Sequence, residues 1–84
     1  MATIYEVHDL KCWLSYFFDI QRGAKNFEIR RNDRHYQVGD VLRLREWMLD
    51  QQHYTGRQIS VLVKYITDFE QKPGFVVMGI SPLL

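Results

Sequence analysis

The sequence predicts a small α+β domain that is mainly β, a barrel or curled sheet of five to six strands with one main helix at about 12–22. Three observations predict it. Apolar and polar residues alternate with period two in several short segments. Only one stretch, Trp13, Leu14, Phe17 and Ile20, repeats at helical spacing. Turn chemistry separates the segments at Gly23, Asn32-Asp33, Val38-Gly39-Asp40, Thr55-Gly56 and Pro73-Gly74. The 84 residues suffice for one core, so residues 1–84 are expected to form a single domain. At 46% hydrophobic residues, that core needs no disulfide.

In chain order, Ile4 to His8 alternates weakly as a first strand that His8 and Asp9 end. His8 is either a surface or capping histidine or a ligand group. Helix 12–22 turns Trp13, Leu14, Phe17 and Ile20 inward, with Tyr16 and Phe18 at the edges of the stripe and Asp19 and Gln21 outward. Gly23 closes it. Cys12 reads as a small buried residue, because no paired histidine accompanies it as a nucleophile would require. Phe27 then opens a strand in which Phe27 and Ile29 face the core and Glu28 and Arg30 the opposite side. Lys25 shares the parity of Phe27. It therefore lies on the turn before the strand, is redirected by a bulge, or is a bland strand-entrance lysine.

Arg31 to Tyr36 has loop chemistry, and Asn32 and Asp33 either shape the turn, bind, or do both. Val41 to Leu49 is a strand with Leu42 and Leu44 on one face and Arg43 and Arg45 on the other. The same alternation sends Glu46 toward the apolar face, where a charge needs water at the barrel mouth or a cation such as Lys25 or Arg30. Asp50 to Arg57 reads as a hairpin loop. Gln58 to Phe69 reads as a strand covered partly on both faces. Phe75 to Ile80 is the buried closing strand.

The formal charge of +1 argues against binding duplex by electrostatics alone. Residues 22–45 nevertheless hold seven Lys/Arg against three acids, leaving the remainder of the chain at −3. Such a basic middle suits a local anion site or a set of solvated strand faces. A lone cysteine, no signal-peptide pattern and no apolar run near the ~20 residues that cross a bilayer make a soluble cytoplasmic protein the default expectation. His8, Cys12, His35 and His53 show no zinc-type spacing, and no metal or cofactor is expected.

Gly23, Lys25, Glu28 and Arg30 match, position by position, the Gly-x-Lys-x-x-Glu-x-Arg signature of the activating signal cointegrator homology (ASCH) domains, small β-barrels related to the PUA RNA-binding fold. The wider run resembles a small bacterial and phage-type branch of that family. It includes His8 to Trp13, Phe27 to Arg30, Asn32 to Arg34, Val38 to Asp40 and Leu44 to Glu46. The resemblance implies a PUA-like barrel and a charged cleft for single-stranded RNA or a nucleotide-like small molecule. Lys25, Arg30, Asn32 and Arg34 would hold the ligand and Glu28 would read a base amino group. His8 and Lys11 join them because they fall in the best-matching segment. Tyr36 and Trp47 are possible stacking platforms, with a core role favoured for each.

The rival expectation is a small hydrolase of modified nucleosides or RNA, with Lys25 and Glu28 or Glu46 in acid/base roles. Amidohydrolase members place a threonine where this chain has Glu28, a departure that sets the two apart. The residues leave open whether the site performs chemistry. A scaffold role has no specific support. The expectation that organises the rest is that Lys25, Glu28 and Arg30 converge on one pocket.

Overall fold

Each strand of this chain places every second side chain on one face, and backbone hydrogen bonds along the strand edges join the strands into a single sheet. The computed structural model describes residues 5–83. In order come β1 (Val7–Trp13), α1 (Leu14–Gln21), β2 (Phe27–Arg31), β3 (Val41–Met48), β4 (His53–Thr67) and β5 (Phe75–Pro82). The five strands run β1-β3-β4-β5-β2 across the sheet, which curls into a half-barrel. The fold is α+β and mainly β, with one helix among the described residues. β1 and β3 are parallel and the other neighbours antiparallel. A parallel pair needs a long crossover, which α1, β2 and the following loop provide.

The concave face is the core. Leu44, Val63 and Met78 are fully enclosed there, and Phe17 and Ile20 of α1 close it at one end. Burying side chains of this size contributes about 1.5–3 kcal/mol each. No buried side-chain polar atom among the described residues lacks a partner. At the other end His8 Nε2 and Asp40 Oδ2 lie 2.9 Å apart, with the His8 ring edge-on to Tyr36. Asp40 also accepts the Gln37 and Glu6 backbone N–H groups. Burial opposes its ionisation, but these donors win and hold its carboxyl below the usual value. His8 Nε2 must then carry the donated proton, since an ionised carboxylate only accepts.

Several boundaries differ from expectation. Ile4 lies outside the described residues, and β1 runs through His8 and Asp9 to Trp13 instead of ending there. The cause is the ladder to β3, which pairs Val7 with Val41 and continues to Trp13 with Trp47. The helix is correspondingly shorter than 12–22. Trp13 and Leu14 are exposed rather than core, because this short helix turns only Phe17 and Ile20 inward. The predicted loop 50–57 shrinks to 49–52. β4 starts at His53 because Met48 pairs with His53, and the register then shifts between Arg45 and Trp47. Gly56, at φ +96°, sits in the extra β4 segment opposite that shift. A second shift between Val63 and Tyr65 turns Tyr65 out of the buried parity and against Gly79.

Candidate functional site

β1 and β2 are the two edges of the sheet, so the half-barrel has an open seam between them. Edge strands present unpaired backbone groups that a protein must cover. Here a side chain spans the seam: Arg30 Nη2 donates to the Lys11 carbonyl at 2.9 Å. The seam opens into a cleft of about 590 Å³ lined by residues 11–13 of β1, Tyr16 of α1, Lys25 and residues 27–30 of β2.

β2 reverses the expected orientation. Glu28 is buried at 3% exposure, whereas Phe27 and Ile29 are 40% and 52% exposed. Alternation was right and its phase was not. A period-2 pattern has two phases, and apolar-inward is the ordinary choice. At the seam the concave side holds an ion triad instead, so the charged parity turns in. Glu28 Oε1 accepts from Arg30 Nε at 2.9 Å, and Oε2 accepts from Lys25 Nζ at 2.5 Å.

Lys25 reaches the triad from the turn before β2, the first of the three expected placements. Gly23, at φ +82°, lets the helix end fold back, and the Lys25 backbone N–H donates to the Asp19 carbonyl at 3.0 Å. Its ammonium also donates to the Phe27 carbonyl at 2.9 Å. The Tyr16 and Phe27 rings flank that ammonium at 5.1 and 4.9 Å. Trp13 and Tyr16 stack nearly parallel, with centroids 5.8 Å apart, on the cleft rim.

Lys25, Glu28 and Arg30 therefore come together, while Lys11 meets them only through its backbone carbonyl, its ammonium lying over Trp47. The other candidates lie elsewhere. His8 is committed to Asp40. Asn32 shapes its loop: Oδ1 accepts the Tyr36 N–H, while its own N–H bonds the Gly74 carbonyl. Arg34 is exposed and outside the cleft lining. Tyr36 is core, and Trp47 is half-buried beneath the Lys11 ammonium.

Glu46 does point inward, at 1% exposure, but its partner is neither Lys25 nor Arg30. Arg57 grips both its oxygens, at 2.9 and 2.8 Å, and the Thr55 hydroxyl donates at 2.6 Å. The register shift at Gly56 lets two β4 residues meet one β3 carboxylate. Arg57 first, then the hydroxyl, outweighs burial and pulls the Glu46 carboxyl below its usual range. A base held so is weak.

The aromatic rim is not legible in the apolar pattern of the sequence, which puts Trp13 and Phe27 in the core and Tyr16 at a helix edge. The available signal was the three-residue spacing of Trp13 and Tyr16, which places both on one side of the strand-to-helix join.

Chemically, the cleft holds two cations, Lys25 and Arg30, against the Glu28 carboxylate, a net of +1. Lys25 and Arg30 keep donors beyond those spent on Glu28. Both Glu28 oxygens are occupied, so any proton transfer there must first open an ion pair. Cys12 also lines the cleft, but burial, then the Glu28 charge, pushes its thiol up to about 11. It is protonated at neutral pH and a poor nucleophile.

The sequence profile of a domain of unknown function, DUF3850, matches residues 7–80, which takes in β1 to β4, most of β5 and the whole cleft. The chain belongs to the DUF3850 family. This DUF3850 domain is also 36% identical over 63 residues to a protein of Escherichia phage P2 described as "Uncharacterized 12.9 kDa protein in GpA 3'region". The match covers 75% of the chain and 56% of the phage protein, so the chain spans little more than half of that relative. Among the described residues of the DUF3850 domain, no helix is long and apolar enough to cross a membrane.

Proposed function

We propose that this DUF3850 domain is an ASCH-like, PUA-related binding module that holds one nucleotide unit, of single-stranded RNA or of a nucleotide-like small molecule, in the seam cleft. The observation that carries this is the ion triad on a cleft rimmed by rings: Glu28 clamped between Lys25 and Arg30, with Trp13, Tyr16 and Phe27 around it. A net charge of +1 on the triad attracts phosphate. The exposed rings offer a face for a base, and unstacked bases are the usual handle for recognising single-stranded RNA. Glu28 supplies acceptor oxygens for a base amino group once a ligand phosphate draws one cation away. The cytoplasm is the compartment that fits, because the single Cys12 is a free thiol.

The test is titration of AMP, CMP and a short single-stranded RNA, followed by tryptophan fluorescence at rising salt. Saturable binding that weakens with salt, and falls about tenfold or more on Lys25→Ala, supports the reading. No saturable binding at millimolar ligand overturns it. Arg30→Lys serves as a second variant that keeps the charge but loses the fork geometry.

A further inference from the structure

The outward face of β1, β3 and β4 carries a row of rings and cations that continues beyond the cleft. The ladders set Trp13 beside Trp47 and Trp47 beside Tyr54, so three aromatic residues cross three neighbouring strands on one face. Trp47 and Tyr54 meet edge-on, with centroids 4.8 Å apart. Two cations accompany them: Lys11 Nζ lies 3.9 Å from the Trp47 centroid, and the Arg45 guanidinium 4.0 Å from that of Tyr54. Lys11 and Trp13 also line the cleft, so the row begins where the cleft ends. Asp9, the acid on this face of β1 and β3, is already paired through both oxygens with Arg43.

We infer that Trp13, Lys11, Trp47, Arg45 and Tyr54 form a track for single-stranded nucleic acid, carrying the nucleotides that flank the one in the seam cleft. The inference rests on the nucleotide-binding reading of that cleft and extends it from a mononucleotide to a strand. A strand presents base faces and phosphates in turn, and the row presents rings and cations in turn. In the free protein each cation covers a ring. An exposed cation–π contact is weaker than base–aromatic stacking, so an arriving base takes the ring and the long side chain swings to the neighbouring phosphate. Neither step requires a strand to move. Three neighbouring strands span roughly 10 Å, enough for one or two nucleotides beyond the cleft. Stacking and charge discriminate little between sequences or sugars, but they make binding steeply salt-dependent.

The probes are AMP, CMP and a six-nucleotide RNA of alternating adenylate and cytidylate, with its DNA counterpart. Overlapping registers on a hexamer raise its affinity up to about sixfold without any new contact, so the criterion is a gain well above that. The expected result is hexamer binding more than tenfold tighter than either mononucleotide. Trp47→Ala and Arg45→Ala should each weaken the hexamer about tenfold, and far less the mononucleotides. Arg45→Ala should also flatten the salt dependence by about one phosphate contact. RNA and DNA hexamers should agree within a few-fold.

Mononucleotides and hexamer binding alike, both lost on Lys25→Ala, would overturn the track and leave the cleft reading standing. A tight hexamer indifferent to both outer-face variants would overturn it too, as would a sugar preference above tenfold. No binding of any probe would overturn track and cleft together. Because Trp47→Ala removes a half-buried ring, Arg45→Ala and quenching in the unmodified protein keep the test decisive if that variant fails to fold.

Discussion

Glu28 is the residue on which the site's energetics turn. Its carboxylate is enclosed, while the Lys25 and Arg30 side chains retain 16% and 24% exposure. Removing one member of a fully buried pair costs about 3–5 kcal/mol, but water reaches these cations, so Glu28→Gln is expected to cost about 2 kcal/mol in urea unfolding. The same change raises the cleft by one charge and should steepen the salt dependence of nucleotide binding. Unchanged stability would mean that the triad contributes nothing net. Asp40 and Glu46 report on acid. Both carboxyls lie below their ordinary values of 3.8 and 4.5. A depressed folded value contributes stability that is complete above the ordinary value and is lost as pH falls through the folded one. Stability should therefore hold above about pH 5 and drop in the range below pH 4. Arg57→Ala should lower stability at neutral pH and shrink that acid-linked loss, which urea midpoints across the pH series would measure.

At the scale of elements, the turn between α1 and β2 decides where the lysine goes. Gly23 has open space where a Cβ would stand, so its requirement is conformational rather than steric. Gly23→Ala should cost about 1 kcal/mol through its left-handed backbone. It should also weaken nucleotide binding by loosening the turn that sets Lys25 over Glu28. A stability loss without any binding loss would separate the turn from the site. The sheet makes a second forecast at this scale. β1 and β2 are edges, whereas β3, β4 and β5 are each paired on both sides. Amide exchange should be fastest at β2 positions facing the seam and slowest across β4 and β5, with a bound nucleotide slowing the seam. Uniform protection across all five strands would contradict an open seam.

At the scale of the molecule, the sheet closes only part of a barrel and leaves the rest to side chains. Arg30 reaching the Lys11 carbonyl is the bridge, and a ligand lodged in the seam would add contacts to both edges at once. A mononucleotide at a hundredfold excess over its Kd should stabilise the fold by about 2.7 kcal/mol. For a domain of this size that raises the melting midpoint by on the order of 10 °C, read by circular dichroism. No shift at saturation would mean that the nucleotide does not bind the folded domain in preference to the unfolded chain.

How much of this was legible follows from the kind of information each step needs. Period-2 alternation, one helical stripe and glycine-bearing turns are local, and they determined a mainly β domain with one helix. They also placed Leu42, Leu44 and Glu46 on one face of β3, whereas the grouping of Lys25, Glu28 and Arg30 rested on the resemblance to the ASCH signature. Three things were not local. The extent of β1 depended on its ladder to β3, more than thirty residues away in the chain. Arg57 became the partner of Glu46 through a register shift that no residue of β3 announces. The phase of β2 depended on where the sheet fails to close, since alternation fixes which residues share a face but not which face is inside. Only the folded sheet has an inside, and at its open seam the inside is polar.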